Sequence, residues 1–409
     1  MRIPIAWKPG TVGSPARPTM VVGVTHPQTC MILGPRLSKL RSTGFRVVLI
    51  SSPGELLERA ASEAGVECIA LPMERDISPF ADLISLLRLG RILRQLEPQI
   101  AEFSTPKAGL LGMLAAALCR VPRRIYLLRG LRLETVGGIK RQLLLWSERA
   151  ACACAHTVLC NSRSLRARAL GLKIAPERKI EMLGQGSSTG VDLERFCPGP
   201  SGVRERLGWG ANHRVIGFVG RLTRDKGLPE LIGAFESIAA ADPEARLLLV
   251  GWFDAAEDAV SDDLRRRVAT NPRIHCTGLV YDTAPYYRAM DVMVLPTWRE
   301  GFPNAVLEAQ ATAIPVITTI STGSRDSVVP EVTGLLIPPG YEEAITESVL
   351  KLLADEPRRR RMGSAAREWV RTHYANHRIL RLNAEFYKGV SDSLWARKQR
   401  AQAGVARLA

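Results

Sequence analysis

Two segments in the second half of the chain bring together side chains that could bind a phosphorylated ligand. In one of them, Glu300 and Gly301 follow a predicted strand that ends at Pro296. A helix should begin near Pro303, since Pro suits the first turn, and Glu308 would project from the second turn. The N–H groups and the dipole at a helix start bind anions such as a diphosphate. Taken singly, each glutamate is more simply explained as a solvent-facing helix residue, but the whole constellation favours a ligand site.

The second segment is the loop that contains Gly220, Arg221, Lys226 and Gly227. It follows the first predicted strand of the second half and leads into a helix. Its small residues permit a close approach of the backbone, and its two cations would lie at the carboxyl end of the strand. Cations there could neutralise a departing diphosphate. Two basic residues in a loop are, by themselves, more often solvated surface charges.

The elements that must position these residues alternate between strands and helices. Residues 81–96, for example, carry leucines at helical spacing between two aliphatic runs. The candidate strands are residues 20–24, 46–50, 67–71, 99–103, 124–128, 157–161, 179–183, 214–220, 246–251, 273–278, 292–296, 315–319 and 335–338. Strands separated by helices predict parallel sheets. A stretch rich in Gly, Ser and Pro, residues 184–202, divides the pattern into two α/β halves with a ligand cleft between them.

The charge is concentrated in the first half. Residues 1–200 have 28 Lys/Arg against 15 Asp/Glu, whereas residues 201–409 have 28 against 25, and the net charge is +16. A basic half attracts lipid headgroups, nucleic acid or phosphorylated substrates. Arg88, Arg91 and Arg94 would lie along one helix face that anionic lipid could attract. A solvated basic face explains them as well, so membrane contact is a hypothesis.

Several other classes of protein fit poorly. A dinucleotide-binding dehydrogenase needs Gly-x-Gly-x-x-Gly, but the nearest match, Gly184 and Gly186, has Thr189 in place of the last glycine. A pI of about 9.9 suggests nucleic-acid binding, but the chain has few aromatic residues and no zinc-finger spacing. His373 and His377 have metal-ligand spacing on a predicted helix, without the acidic partner of a zinc protease. No metal site is expected.

The two segments resemble those of glycosyltransferase family 4, whose members are retaining enzymes of the GT-B fold. Glu300 and Glu308 match the family's Glu-x7-Glu signature, and Gly220–Arg221 with Lys226–Gly227 match its Gly-Arg…Lys-Gly loop. Residues 323–338 are similar to its closing segment, and the likeness covers most of residues 20–390. The resemblance implies an α/β chain with two Rossmann-like parallel-sheet domains that face each other across a cleft.

The resemblance also implies roles for these residues. Arg221 and Lys226 would hold the diphosphate, Glu300 would contact the donor sugar, and Glu308 would contact the ribose. The implied donor-binding residues are Gly220, Arg221, Lys226, Glu300, Gly301, Phe302 and Glu308. Of these, Glu300, Lys226 and Arg221 would act in catalysis.

The first half is similar to bacterial members that build surface polysaccharides, typically with UDP-sugars and polyprenyl diphosphate-linked acceptors. The similarity lies in residues 104–113, 124–131 and 186–192. Ser104 stands where such enzymes often have His, and Thr189 where they often have Asn. The acceptor-side candidates are Lys107, Ser104, Arg129 and His26. Lys107 and Arg129 could instead be ordinary surface cations.

The domain boundaries follow from the pattern and the resemblance together. We expect a flexible leader over 1–19, an N-terminal acceptor-binding domain over 20–200 and a C-terminal nucleotide-sugar-binding domain over 201–375. Residues 376–409 should form a helix that packs back on the N-terminal domain, followed by a basic tail.

The resemblance implies metal-free transfer with retention of configuration, and the chain contains no Asp-x-Asp. The expected partners are a nucleotide-sugar co-substrate, for which UDP-sugar is favoured, and a lipid-linked or saccharide acceptor, with no nucleic acid and no cofactor. The alternative is GDP-mannose or another donor with a small-molecule acceptor. Scattered cysteines and the lack of a signal-peptide-like stretch predict a cytoplasmic protein, peripheral on the inner face of the membrane if it binds lipid.

Overall fold

The computed structural model describes residues 17–74, 78–254 and 258–406. Every predicted strand is found within them, with bounds that differ from the prediction by one or two residues at most ends. The expected leader over 1–19 falls mostly outside the described residues.

The first domain is a seven-stranded parallel sheet with helices on both faces. Its strands run in the order β3-β2-β1-β4-β5-β6-β7. The strands are β1 Thr19–Gly23, β2 Arg46–Ser51, β3 Glu67–Ala70, β4 Ile100–Ser104, β5 Arg123–Leu128, β6 Thr157–Cys160 and β7 Ile180–Glu181. The helices are α1 Pro27–Ser42, α2 Glu55–Ala64, α3 Pro79–Leu96, α4 Pro106–Leu118, α5 Gly138–Cys154 and α6 Arg163–Gly171. Helices cover both faces of a parallel sheet, so its inner strands must be apolar on both sides, and the inner strands here are buried aliphatic runs.

The second domain repeats this plan with six parallel strands in the order β10-β9-β8-β11-β12-β13. The strands are β8 Arg214–Val219, β9 Ala245–Val250, β10 Ile274–Cys276, β11 Val292–Leu295, β12 Val316–Thr319 and β13 Gly334–Ile337. The helices are α7 Val203–Arg206, α8 Leu228–Ala241, α9 Asp262–Thr270, α10 Ala284–Tyr287, α11 Asn304–Ala311, α12 Glu342–Ala354, α13 Glu356–His373 and α14 Asn376–Ala406. The predicted fold class, two Rossmann-like sheets, is confirmed.

The chain order of each sheet reverses beside its first strand. In the first sheet β1 lies between β2 and β4, and in the second β8 lies between β9 and β11. Loops that leave the carboxyl ends of the strands at such a point diverge and form a crevice, where ligands of open α/β sheets bind. Both predicted chemical segments follow strands at this edge of the second sheet.

The last helix returns to the first domain. α14 packs against α1, and Tyr387 is fully buried in the first domain's core. His373 and His377, which have metal-ligand spacing in the sequence, do not share a helix: α13 ends at His373, and His377 belongs to α14. The prediction of one continuous helix through both histidines is therefore wrong, because Tyr374 and Ala375 turn the chain into a β-bridge with Val191.

Candidate active site

A cavity of about 260 Å³ lies at the carboxyl edge of the second sheet and faces the first domain. Its wall includes five predicted donor residues: Gly220, Lys226, Glu300, Gly301 and Phe302. The first domain contributes Ile32, Arg129 and Asn161. Residues of both domains thus enclose the space that the sequence assigned to the nucleotide-sugar.

Lys226 and Glu300 form an ion pair in this cavity, with Lys226 Nζ donating to Glu300 Oε1. Lys226 ends a short 3₁₀ turn, and Gly227 follows in the left-handed conformation with φ of 75°. A Cβ atom at Gly227 would stand 2.1 Å from the carbonyl oxygen of Pro296. Only glycine lets this loop pack against the end of β11, and that contact brings Lys226 to the carboxylate from the next loop.

Arg221 follows Gly220 and lines the larger neighbouring cleft rather than this cavity. Its Nη1 donates to Asp254 Oδ2 over 3.1 Å, and its Nη2 lies 3.6 Å from Asp225 Oδ2. Burial alone would raise the pKa of Asp225, but Lys226, Arg299 and Arg221 outweigh it and lower that pKa. Asp225 is therefore an ionised carboxylate that holds these cations in place.

The start of α11 supplies backbone donors to the cavity. Phe302, Pro303, Asn304 and Ala305 line it, and no side chain caps the helix start. The first N–H groups of an α-helix have no partner within the helix, so an anion in the cavity could accept from them. Asn304 Nδ2 also donates to Thr189 Oγ1 of the interdomain segment, over 3.5 Å.

Glu308 is the one predicted donor residue that lines neither described cavity. It accepts a hydrogen bond of 2.9 Å from Tyr287 Oη. Burial raises the pKa of Glu308, partly offset by that bond and by Arg195. Glu308 is half-buried and keeps some contact with solvent outside the two cavities, and its contact with a ribose stays a prediction.

A larger cleft of about 860 Å³ opens beside this cavity and is walled by both domains. Of the acceptor-side candidates, His26, Lys107 and Arg129 line it. Lys107 pairs with Asp82 over 2.7 Å, and His26 Nδ1 accepts the Gln28 N–H as the cap of α1. Apolar side chains such as Met31, Leu56 and Trp252 cover much of the remaining wall and leave the cleft amphipathic.

Ser104, the fourth candidate, does not line the cleft. It ends β4, is almost fully buried, and its hydroxyl has no hydrogen-bond partner among the described residues. The next residue, Thr105, lines the cleft instead and is bonded to Thr25 through their hydroxyl groups over 2.7 Å. A longer side chain at position 104 would have to displace this packing or point into the cleft.

Arg129 belongs to the walls of both cavities, as do Ile32 and Gly220. Its Nη1 atom is buried and has no hydrogen-bond partner within the described part of the chain. Burial, and to a smaller extent repulsion from Arg36, lowers the pKa of Arg129 to about 10. Attraction to Glu102 acts in the opposite direction but is weaker. The group remains a cation at neutral pH. It is therefore available to an anionic ligand.

The structure also shows residues that the sequence interpretation missed. Arg299 donates to Asp225 Oδ2 over 3.0 Å and to Thr135 Oγ1 of the first domain over 3.0 Å. Its position directly before Glu300 was the signal that could have identified it. Gly130 and Gly301 pack backbone to backbone, and a Cβ at Gly301 would stand 1.9 Å from the Arg129 carbonyl oxygen. The two domains touch at this point.

No group of three or more His, Cys, Asp and Glu side chains in the described ranges is arranged to hold a metal ion. Within the same ranges, no helix combines the length and the apolar character needed to cross a bilayer.

Two doubly wound domains with a diphosphate-sized cavity between them define the GT-B class of glycosyltransferases. The family sequence model described as "Glycosyl transferase 4-like domain" matches residues 37–186, and "Glycosyl transferases group 1" matches residues 213–355. The chain belongs to glycosyltransferase family 4 and is a glycosyltransferase.

Relatives and solved structures agree with this assignment. The capsular polysaccharide biosynthesis glycosyltransferase CapM of Staphylococcus aureus is 36% identical over 87% of this chain and 93% of its own length. A UDP-Gal:α-D-GlcNAc-diphosphoundecaprenol α-1,3-galactosyltransferase of Escherichia coli is 27% identical over 69% of this chain and 73% of its own. The structure of Anabaena HepE with UDP-glucose superposes with a TM-score of 0.75 at 17% identity, covering 90% of this chain and 99% of HepE, and shows the fold.

Proposed function

We propose that this enzyme transfers a sugar, with retention of configuration, from a UDP-sugar to a lipid-linked saccharide during surface polysaccharide synthesis. The observation that carries the proposal is the cavity at the start of α11, where Lys226 and Glu300 meet beside Gly220. The names of the CapM and E. coli relatives support the pathway and the type of donor and acceptor. The large amphipathic cleft supports an acceptor with both polar and apolar parts.

The proposed reaction is a front-face displacement. The bond between the anomeric carbon and the diphosphate oxygen breaks, and the acceptor hydroxyl bonds to the anomeric carbon on the same face. Its proton passes to the leaving diphosphate oxygen, so atoms and charges balance without a metal or a cofactor. Lys226, Arg221 and the N–H groups of Gly301 and Phe302 stabilise the charge that develops on the diphosphate.

Glu300 has a different role in this mechanism. Its carboxylate accepts hydrogen bonds from the donor sugar's hydroxyl groups and is itself fixed by Lys226. A carboxylate held in this way fixes the orientation of the anomeric carbon relative to the acceptor, and orientation contributes much of the rate of a bimolecular transfer. Glu308, which is half-buried, accepts a hydrogen bond from a ribose hydroxyl of the donor.

The domain roles follow from the two cavities. The C-terminal domain binds the nucleotide-sugar, and the N-terminal domain binds the acceptor through the cleft that His26, Lys107 and Arg129 line. With a lipid-linked acceptor, the enzyme works on the cytoplasmic face of the membrane as a peripheral protein.

Ligand-induced stabilisation over a panel of UDP- and GDP-sugars tests the donor. A ligand at 100 times its dissociation constant stabilises the folded state by about 2.7 kcal/mol, which a thermal scan resolves. We expect a UDP-sugar to raise the melting temperature and Lys226→Ala to abolish the shift. Stabilisation by GDP-mannose alone would favour the alternative donor, and no response to any sugar nucleotide would contradict the proposal.

A further inference from the structure

The helices that cover one face of the first sheet expose an unusual amount of apolar surface. Among the described residues, sixteen large apolar side chains are exposed, and eight of these lie on α3, α4 and α5. The most exposed of the eight are Ile139 at 89%, Phe80 at 86%, Leu118 at 71%, Leu87 at 66% and Trp146 at 65%. Single exposed apolar residues are common, but a cluster of this size indicates a binding surface.

Seven of these eight residues lie in the first halves of α3 and α5, whereas the eighth, Leu118, is the last residue of α4. On α3, Phe80, Ile84 and Leu87 follow at spacings of four and three and therefore share a face. On α5, Ile139, Leu143 and Trp146 repeat the same spacing. Each set lies in the first half of its helix, and α4 lies between them because it packs against both. We name these six residues, with Leu83, the apolar face.

The surroundings of the apolar face are basic. The solvent side of α3 continues into Arg88, Arg91 and Arg94, all exposed. α5 adds Arg141 and Arg149, and the guanidinium carbon of Arg149 lies 5.4 Å from the centre of the Trp146 ring. α3, α4 and α5 contain two acidic residues, and neither opposes these cations at the surface: Asp82 pairs with Lys107, and Glu148 is buried against Tyr126. Apolar side chains flanked by cations suit an anionic bilayer, which offers acyl chains and charged headgroups together.

The apolar face borders the acceptor cleft. α4 begins at Pro106, and both Pro106 and Lys107 line the cleft. The Lys107–Asp82 ion pair joins the first turn of α3 to the same place. Because helices of a parallel sheet start where its strands end, the beginnings of α3, α4 and α5 share the cleft's edge.

We propose that the apolar face and its basic border bind an anionic lipid bilayer and hold the mouth of the cleft at the headgroups. The proposal rests on the lipid-linked acceptor proposed above, since such an acceptor cannot leave the membrane and the enzyme must reach it there. Apolar residues enter the region between headgroups and acyl chains, and the arginines bind the lipid phosphates. No part of the chain has to cross the bilayer.

Sedimentation of the full-length protein with lipid vesicles tests the proposal. We expect binding to vesicles of phosphatidylcholine with phosphatidylglycerol and weaker binding to phosphatidylcholine alone. The combined variant Phe80→Gln, Leu87→Gln, Ile139→Gln and Trp146→Gln should lower the partition coefficient more than tenfold. These side chains are exposed, so thermal unfolding should change little. The matched control is Val332→Gln with Tyr341→Gln, two residues of the second domain that are exposed at 52% and 60%.

The basic border gives a second, independent measurement. Replacing Arg88, Arg91 and Arg94 by Gln should lower binding to anionic vesicles by about fivefold per residue, and less at high salt, because each cation near such a surface contributes about 1 kcal/mol. Equal binding by the wild type and the combined apolar variant would overturn the proposal, as would an equal loss in the control. Binding to a DNA duplex but not to vesicles would assign the arginines to nucleic acid instead.

Transfer assays separate this proposal from the proposed function. With a detergent-dispersed, short-chain acceptor the combined apolar variant should keep wild-type kcat, while with acceptor in vesicles its rate should fall in step with its binding. Vesicle binding without transfer to any acceptor would contradict the proposed function alone. If the wild type and the combined apolar variant transferred sugar at equal rates to the dispersed and to the vesicle-bound acceptor, only the membrane proposal would be contradicted.

Discussion

At the scale of single residues, the chemistry depends on how much of each cation's charge is left for a ligand. Lys226 pairs with Glu300, and Arg221 and Arg299 lie within reach of Asp225. These carboxylates already hold the cations in position before a diphosphate enters the cavity. Binding therefore costs little additional side-chain conformational entropy. Arg129 differs from these cations because its guanidinium is not part of any such pair in the described chain.

Replacing Lys226 by Ala should lower kcat by about 10²- to 10³-fold, the range typical of removing one group that stabilises developing charge. Stability should fall by about 1–3 kcal/mol, because the two side chains are only 17% and 15% exposed and Glu300 loses its partner. Steady-state kinetics and thermal unfolding measure the two effects. Lys351→Ala, on the exposed side of α12, is the control. Wild-type turnover in Lys226→Ala would refute the assigned role.

Replacing Arg129 by Ala should raise the KM for the acceptor about 10- to 100-fold, the cost of losing a hydrogen bond to a charged group. Arg129→Lys should restore little of it, since an ammonium cannot reproduce two parallel N–H donors. Donor affinity, measured by thermal shift, should stay close to that of the wild type. A loss of donor affinity with an unchanged acceptor KM would instead assign Arg129 to the donor diphosphate.

At the scale of elements, sequence patterns predicted what depends on local spacing. The inner strands were predictable because buried parallel strands are continuous aliphatic runs, whereas the edge strands β3 and β10 are partly exposed and followed from the alternation of strands and helices. The start of α11 was predictable from Pro303, and with it the position of Glu300. Arg129 was only one of four acceptor-side candidates in the sequence. It lacks a partner because Glu102 is bonded to Arg36 instead, and this contact cannot be read from spacing. The break between α13 and α14 was missed, since it arises from a contact with Val191, far away in sequence.

The contact between α5 and β5 should make stability depend on pH. Glu148 is buried and accepts a hydrogen bond from Tyr126 Oη over 2.8 Å, and burial raises its pKa to about 7 against the effect of that bond. The folded state therefore binds the proton more tightly than the unfolded state, whose carboxyl has a pKa near 4.3. Stability from this group is fully present below about pH 4 and is lost as the pH rises through about 7.

Glu148→Gln should remove that dependence. The wild type should lose up to about 3 kcal/mol from this group between about pH 4 and 8, and the difference between the two unfolding free energies should follow a single titration. Urea unfolding over this pH range measures it. Glu177→Gln, an exposed carboxylate paired with Arg166, should leave the slope unchanged. Parallel curves for wild type and Glu148→Gln would show that the buried carboxyl does not titrate there.

At the scale of the whole molecule, the chain crosses between the domains twice at one place. Val191 leaves the first domain and Ala375 returns to it, and these residues form a parallel β-bridge. Arg36 then holds α14 against the first domain, because it donates hydrogen bonds to Glu102 and to Asn383 and Tyr387 of α14. A buried arginine with three partners from two parts of the chain fixes where the last helix lies.

Replacing Tyr387 by Ala should therefore destabilise the first domain in particular. The variant loses a fully buried ring and leaves Arg36 and Glu102 with one hydrogen-bond partner fewer, a combined cost of about 3–5 kcal/mol. Hydrogen exchange should rise in β1, α1 and α14 while β8 and β11 keep their protection. Lys388→Ala, the exposed neighbour on the same helix, should exchange like the wild type. A uniform rise over both sheets would show that the domains unfold as one unit, with α14 coupling them rather than serving the first domain alone.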